Sequence, residues 1–188
     1  MPTKINQPPQ PHTLPPSEIH AAIDRIAAAI SKRHPPRDKI LILGIANGGV
    51  TLARRLASNV PGSRAGVLDI SFHRDDIGHH PIPKEFAPTH IPGDVNNATI
   101  ILVDDVLQSG RTTNAALNEV FDHGRPARVE LAVLVDRAGR RLPIAPDYAG
   151  ITLAVPDGEK LVLHLDPDNP ARDTFQILAR SVRSVRSV

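Results

Sequence analysis

Residues 100–113 read IILVDDVLQSGRTT, and this stretch decides the fold that the sequence predicts. An apolar run at residues 100–103 is followed by the adjacent acids Asp104 and Asp105, and a loop of small residues then leads into a helical pattern. Short apolar runs are typical of strands that are buried on both faces of a parallel sheet. Because ligands of open α/β sheets bind just beyond the carboxyl ends of such strands, the stretch predicts a strand, a ligand-binding loop and a helix.

The loop after the two acids has the chemistry of a phosphate site. Residues 108–112 combine hydroxyl groups with the backbone N–H groups of a helix N-terminus, and Gly110 lets an anion approach the backbone closely. Asp104 and Asp105 would repel a phosphate, but carboxylates accept hydrogen bonds from vicinal hydroxyls. A phosphate site beside a diol site predicts that the ligand is a 5-phosphorylated ribose.

Other interpretations of the same stretch stand beside this one. The acids are also compatible with turn or capping residues in front of an ordinary helix N-terminus. A nucleotide kinase would need the motif G-x-x-x-x-G-K-[ST], which the sequence lacks. A phosphoacceptor domain of the receiver type could use an acid pair, but it would not explain the hydroxyl-rich loop.

Strand and helix patterns alternate on both sides of this stretch. Apolar or alternating runs predict strands at residues 39–43, 66–72, 99–103, 128–135 and 160–165. Helical spacing of apolar residues predicts a first helix with Ser17 as its N-cap, and further helices over residues 50–57 and 112–122. The predicted fold class is therefore α/β, with a mostly parallel central sheet flanked by helices.

The composition of the 188 residues excludes several classes of protein. The absence of cysteine excludes disulfide scaffolds, thiolate metal sites and cysteine nucleophiles. Because 22 basic and 20 acidic residues nearly cancel, and only four Phe and one Tyr could stack on bases, a dedicated nucleic-acid binder is not favoured. No apolar run reaches the ~18 residues of a membrane span. We therefore expect a soluble, cytoplasmic protein without a membrane partner.

Proline, at 19 of the 188 residues, is about twice as frequent as usual and indicates where the domain begins. Residues 1–16 are predicted to form a Pro-rich flexible leader. The functional domain is expected over residues 17–170. Residues 171–188 are predicted to form a C-terminal helix and a basic tail that ends in RSVRSVRSV, which is either a frayed end or a nucleic-acid contact.

The sequence resembles a known family at these motifs. Residues 100–113 resemble the 5-phosphoribosyl-1-pyrophosphate (PRPP) signature of type I phosphoribosyltransferases. The longer block over residues 103–150, together with LDISFHRDDI at residues 68–77, resembles the PyrR family of pyrimidine-operon regulators that double as uracil phosphoribosyltransferases. The resemblance extends over residues 17–165. It implies a type I phosphoribosyltransferase fold with a mobile loop and a small hood, and the conversion of PRPP and uracil to UMP and pyrophosphate.

The resemblance also implies roles for particular residues. Asp104 and Asp105 would be catalytic, together with Arg74 and Asp75 from the mobile loop. Mg²⁺ is the implied cofactor, and the two adjacent acids would bind it indirectly, through substrate or water. The implied PRPP-binding residues are Val103, Val106, Leu107, Gln108, Ser109, Gly110, Arg111, Thr112 and Thr113.

Two further segments would complete the site. The turn GIANGG at residues 44–49 would bind pyrophosphate through Ala46, Asn47 and Gly48, but Ala46 and Asn47 stand where the family usually carries basic residues. The lost charge-assisted contacts predict weakened catalysis. Asp136 and Arg137, which follow the predicted strand at 128–135, would bind the base.

A second function, of a different class, stays open from the sequence. The chain could be a catalytically weak nucleotide sensor that regulates pyrimidine genes by binding RNA, while action on another base or as a hydrolase is a third alternative. For Arg140 and Arg141, exposure in a solvated turn is the alternative to a role in a basic surface for RNA. The resemblance implies a homodimer or homotetramer. The basic face for RNA would include Arg25, Lys32, Arg33, Arg137, Arg140 and Arg141.

Overall fold

The computed structural model describes residues 12–35, 39–71, 88–155 and 159–179. Several features predicted from the sequence lie outside these residues. They are the first part of the leader, Arg74 and Asp75 in the predicted mobile loop, and the RSV repeat. Within the described ranges, no helix is both long enough and apolar enough to cross a lipid bilayer.

The described residues form three α-helices and two sheets. The helices are α1 (Pro16–Arg33), α2 (Gly49–Asn59) and α3 (Arg111–Asp122), and a 3₁₀ turn lies at Pro170–Arg172. The strands are β1 (His12–Leu14), β2 (Ile40–Ile45), β3 (Arg64–Leu68), β4 (Thr99–Leu107), β5 (Arg128–Arg137), β6 (Tyr148–Leu153), β7 (Glu159–His164) and β8 (Thr174–Ala179).

The main sheet is parallel and has β4 at its centre. Its five strands lie in the order β3, β2, β4, β5, β6. The apolar run that begins β4 is buried on both faces: Ile101 and Val103 pack with α1 and α2, whereas Ile100 and Leu102 pack on the face that α3 covers. The prediction of an α/β fold with a mostly parallel sheet is confirmed.

Helix α1 follows the predicted spacing of apolar residues. It begins at Pro16 with Pro15 as its N-cap, so the predicted N-cap, Ser17, already lies inside the helix, because the fixed φ of proline suits the first helical position. The residues that recur at helical spacing are all buried against the main sheet, namely Ile19, Ala22, Ile23, Ile26 and Ile30.

A second sheet, which we call the hood, corrects the prediction for the C-terminal part of the chain. Strands β1, β8 and β7 pair antiparallel in this order, so residues 174–179 form a strand and not the predicted helix. The reason is burial: Phe175 is 1% exposed and packs in the core that α1 and α2 cover. The pairing of β1 with β8 also joins a part of the predicted leader to a part of the predicted tail.

Two other strands complete the two sheets. The strand predicted at residues 160–165, for which the sequence specified no sheet, is β7 and lies in the hood. Strand β6, which the sequence reading missed, closes the main sheet beside β5. Its register places Gly150 against α1, where a Cβ on this glycine would lie 3.1 Å from the Cβ of Ala22.

Asp173 fixes the hood to the helices. Its fully buried carboxylate accepts hydrogen bonds from Arg55 Nη1 at 2.5 Å and Nη2 at 3.0 Å, on α2, and from His20 Nε2 at 3.2 Å, on α1. Burial by itself would raise the pKa of Asp173. The hydrogen bonds from Arg55 and from the backbone N–H of Asp166, with the charge of Arg55, outweigh it and hold the pKa below its usual value.

Candidate active site

The acid pair, Asp104 and Asp105, lies inside strand β4 and not beyond its end. The strand continues to Leu107, and Asp104 stands opposite Val133 in the ladder with β5. The predicted strand end at Val103 is therefore too early, because pairing with β5 continues through the acids. Asp104 is 7% exposed and Asp105 is half-buried, so both carboxyls are largely withdrawn from solvent.

Burial changes the acidity of both carboxyls. It raises the pKa of Asp104 well above the usual value, and the negative charge of Asp105 raises it further. Burial also raises the pKa of Asp105, opposed by the backbone N–H of Val106, which donates to Asp105 Oδ1 at 2.7 Å. Interacting carboxyls with perturbed pKa values are typical of functional sites. A ligand that donates hydrogen bonds or carries a cation would stabilise the ionised pair.

Residues 108–112, which we call the phosphate loop, lead from β4 into α3. Gly110 has a φ of 90°, in the left-handed region that favours glycine. Its carbonyl oxygen accepts the first hydrogen bond of the helix from the N–H of Asn114 at 3.0 Å, and Ser109 Oγ accepts from the N–H of Arg111 at 3.3 Å. Because Gly110 has no side chain to cap the first turn, this N-terminus is open to a bound anion.

Two buried polar atoms lack a hydrogen-bond partner among the residues that the structure describes: Thr113 Oγ1 and Arg137 Nε. Thr113 is 2% exposed and lies in the first turn of α3. Arg137 ends β5 and donates through Nη2 to the carbonyl oxygen of Glu159 at 3.4 Å. Leaving a buried donor unsatisfied costs about 1–3 kcal/mol. Arg137 lines the cavity described below, so its Nε is a donor that a ligand there can satisfy, whereas Thr113 lies outside that lining.

The turn predicted to bind pyrophosphate packs directly on the acid pair. A Cβ on Gly48 would lie 2.5 Å from the Asp105 carboxyl group, so only glycine lets the backbone come this close. The N–H of Ala46 donates to the carbonyl oxygen of Leu68 at 2.9 Å, and the peptide bond between Ala46 and Asn47 is cis. Asn47 and Gly48 are exposed, which leaves their polar groups accessible to a ligand.

The two residues predicted to bind the base have different surroundings. Arg137 lines the cavity described below, whereas the carboxylate of Asp136 accepts a hydrogen bond from Arg140 Nη2. Arg140 is half-buried and bonded within the protein, so its interpretation as a solvated turn residue is wrong. Arg141, by contrast, is exposed.

A cavity of about 520 Å³ joins the predicted parts of the site. Its lining residues are Asp104, Asp105, Val106, Leu107, Gln108, Ser109, Gly110, Thr112, Arg137, Lys160, Leu161, Val162 and Leu163. The other predicted contacts in the described ranges lie outside the lining: Ala46, Asn47, Gly48, Val103, Arg111, Thr113 and Asp136.

Sequence reasoning missed the wall that the hood supplies. Residues 160–163 of β7 line the cavity together with the acid pair and the phosphate loop. Their alternating pattern predicts a strand, but the pattern carries no signal of which sheet that strand joins or which site it faces. Lys160 brings a positive charge to this wall.

The described side chains fit an Mg²⁺ ion that is held mainly by substrate. In the part of the chain that the structure describes, no group of three or more His, Asp or Glu side chains is placed to hold a metal ion. Asp104 and Asp105 supply two adjacent carboxyls at the cavity, and Mg²⁺ commonly binds one or two carboxylates and takes its other ligands from phosphates and water.

Comparisons with known proteins identify the family of the chain. The family model of the phosphoribosyl transferase domain matches residues 16–161. The chain is 47% identical over 135 residues to the bifunctional protein PyrR of Ralstonia nicotianae, which covers 71% of this chain and 78% of that protein. It is 43% identical over 169 residues to the bifunctional protein PyrR of Streptomyces coelicolor, which covers 87% of this chain and 86% of that one.

Solved structures show the same fold at much lower identity. A hypoxanthine-guanine phosphoribosyltransferase from Bacillus anthracis superposes with a TM-score of 0.63 at 16% identity, covering 87% of this chain and 94% of that one. The hypoxanthine phosphoribosyl transferase of Trypanosoma cruzi gives 0.63 at 20% identity, covering 95% and 94%. The acid pair, the phosphate loop and the hood surround one cavity, and PyrR proteins are similar to the chain over most of its length. The chain therefore has the phosphoribosyltransferase fold and belongs to the PyrR family.

Proposed function

We propose that the chain transfers the 5-phosphoribosyl group of PRPP to uracil, which yields UMP and pyrophosphate. The observation that carries this proposal is the shared cavity, in which the acid pair, the phosphate loop and Arg137 line one space of about 520 Å³. Ligand pockets for small molecules typically have volumes of about 300–1,000 Å³, so the space suits a nucleotide. Membership of the PyrR family supports the same class of reaction.

The reaction exchanges one bond at the ribose C1 carbon. The bond to the pyrophosphate oxygen breaks, a bond to N1 of uracil forms, and the N1 proton is released. Positive charge develops on the sugar as pyrophosphate departs. Asp104 and Asp105 are proposed to accept hydrogen bonds from the two ribose hydroxyls and, once ionised, to stabilise this charge. Positioning and electrostatics then suffice, without a covalent intermediate.

The two ends of PRPP are proposed to bind at separate backbone sites. The N-terminus of α3, with the hydroxyls of Ser109, Thr112 and Thr113, would hold the 5-phosphate. The turn at residues 46–48 would hold pyrophosphate through its backbone. Bound Mg²⁺ would supply positive charge that offsets the charge of the departing pyrophosphate. Arg74 and Asp75, which lie outside the described residues, stay proposed as groups that act on the same leaving group.

The base is proposed to bind between the end of β5 and the hood. Arg137 Nε, which has no partner among the described residues, can donate to a carbonyl oxygen of the base. Uracil carries two such oxygens, but hypoxanthine carries one as well, so this donor does not by itself select a pyrimidine. The choice of uracil rests on the PyrR relatives.

A direct assay tests the proposal. The protein is incubated with PRPP, Mg²⁺ and each nucleobase in turn, and the nucleotide formed is measured by chromatography. We expect UMP from uracil and much less product from hypoxanthine, guanine or adenine. Preferred formation of a purine nucleotide would contradict the choice of base, and the absence of any nucleotide would contradict the activity.

We propose RNA binding as a second function, within the same family. It is favoured by the turn at residues 46–48, where Ala46 and Asn47 supply no positive charge to a leaving pyrophosphate. Exposed basic side chains are available at Arg25, Lys32, Arg33 and Arg141.

Self-association into a homodimer or homotetramer is also proposed, and light scattering of the purified protein measures it.

A further inference from the structure

The guanidinium group of Arg140 connects the segment after β5 to the end of β4. Its Nη1 donates to the carbonyl oxygens of Leu107 at 3.2 Å and of Gln108 at 3.0 Å, where β4 passes into the phosphate loop. Nη1 also donates to the carbonyl oxygen of Arg137 at 2.6 Å, and Nε donates to that of Ile144 at 3.0 Å. The side chain therefore contacts the ends of both strands that carry the site.

These contacts are made by the protein's own acceptors and not by a ligand. Nη2 donates to the Asp136 carboxylate, the side chain of Arg140 is 26% exposed, and Arg140 is not part of the cavity lining. A guanidinium group has five N–H donors in a rigid, planar arrangement, so it can hold several acceptors in one fixed geometry. The ammonium group of lysine keeps the charge but cannot reproduce that geometry.

The bonds to Leu107 and Gln108 also orient the phosphate loop. In a trans peptide unit the carbonyl and the following N–H point in opposite directions. With the two carbonyl oxygens directed at Arg140, the N–H groups of Gln108 and Ser109 are directed away from it. Gln108 and Ser109 both line the cavity, so the side chain acts on the backbone that an anion would meet.

The residues after Arg140 support the loop from the same direction. The N–H groups of Arg141 and Leu142 donate to the carbonyl oxygen of Ser109 at 3.0 and 3.1 Å. A Cβ on Gly110 would lie 3.3 Å from the side chains of Leu142 and Ile144. The segment at residues 140–144 is therefore a backing for the phosphate loop, and Arg140 links this backing to β5.

We propose that Arg140 is a positioning residue that sets the separation between the phosphate loop and the end of β5 where Arg137 is proposed to meet the base. The inference rests on the proposed function, because it concerns two subsites of that one cavity. It predicts that a ligand which reaches both subsites depends on Arg140 more than a ligand which reaches only the phosphate loop. UMP and ribose 5-phosphate are such a pair.

Titration calorimetry with UMP and with ribose 5-phosphate tests this inference. The proteins compared are the wild type, Arg140→Lys, Arg140→Gln and Arg54→Gln, which removes one charge from an exposed position on α2. For both Arg140 variants we expect the affinity for UMP to fall on the order of tenfold more than the affinity for ribose 5-phosphate. We expect kcat for UMP formation to fall by a similar factor. Melting temperatures should stay near the wild-type value, and Arg54→Gln should bind both ligands normally.

The outcomes separate this inference from the proposed function. Suppose that the wild type transfers phosphoribosyl groups, and that the Arg140 variants lose equal affinity for the two ligands or lose none. That result would overturn the role of Arg140 and leave the proposed function standing. A wild type that binds neither ligand would overturn both proposals. If neither Arg140 variant folds, Asp136→Ala removes one of the five acceptors of Arg140, and the same ligand comparison then decides.

Discussion

The two carboxyls of the acid pair have different environments although they are adjacent in one strand. Asp104 is buried and its pKa is raised well above the usual value by burial and by the charge of Asp105. Asp105 is half-buried, and its carboxylate meets the backbone at Gly48 as well as the cavity. Asp105 is therefore the member of the pair that stands between the proposed ribose and pyrophosphate sites.

We expect Asp105→Asn to leave the fold intact and to lower turnover by orders of magnitude. The amide keeps the shape and the hydrogen bond from Val106 but loses the negative charge that would stabilise the sugar in the transition state. The measurement is uracil-dependent release of pyrophosphate, with circular dichroism to verify folding. Asp122→Asn, at the exposed C-terminal end of α3, is the matched control and should keep full activity. Unchanged pyrophosphate release in Asp105→Asn would contradict the assignment.

At the scale of elements, a buried carboxylate links the hood to two helices. Asp173 joins it to α2 through Arg55 and to α1 through His20, and all three side chains come from distant parts of the chain. Because β7 supplies one wall of the cavity, these contacts also determine how the hood meets the site.

We expect Asp173→Asn to lower the free energy of unfolding by about 3 kcal/mol at pH 7, because it leaves the largely buried Arg55 without a charged partner. The pKa of Asp173 is depressed in the folded state, so its stabilisation is fully present above the unfolded-state pKa of about 3.9 and is lost as the pH falls through the folded-state value. Urea denaturation at pH 7 and in steps below pH 4 measures both effects.

The difference between wild type and Asp173→Asn should therefore shrink on acidification. Asp168→Asn, a nearby exposed position, should match the wild type at each pH. A difference for Asp173→Asn that stays the same from pH 7 down to the acid-unfolding range would show that the charge of Asp173 does not stabilise the hood.

At the scale of the whole molecule, the near balance of charge limits how RNA could bind. A net charge of +2 means that binding would depend on a local basic surface, such as the one that includes Arg25 and Lys32. We expect a gel-shift titration with a pyrimidine-operon leader RNA to show binding that depends on UMP and weakens steeply between two salt concentrations. The double variant Arg25→Gln, Lys32→Gln should bind the RNA more weakly than the wild type at both salt concentrations. No UMP-dependent shift at low salt would contradict RNA binding.

The sequence alone was sufficient for local structure that is continuous along the chain. The apolar run, the small-residue loop and the helical pattern follow one another within residues 99–122, so their order predicts strand β4 and helix α3, which the structure confirms except for the end of β4. The anion site between them stays a prediction. The apolar spacing of α1 likewise follows from helix periodicity. These features need no knowledge of distant segments.

Long-range packing was needed for the rest. Residues 12–14 pair with residues 175–177, and residues 160–163 of β7 line the same cavity as the acid pair. The local sequence patterns of these segments do not indicate which distant segment each one meets. Arg140 looks like a turn residue in the sequence, and only the folded chain brings Leu107, Gln108 and Asp136 to its guanidinium group. A periodic pattern indicates which face of an element is buried. It does not indicate which other element packs against that face, because the packing depends on the free energy of the whole fold.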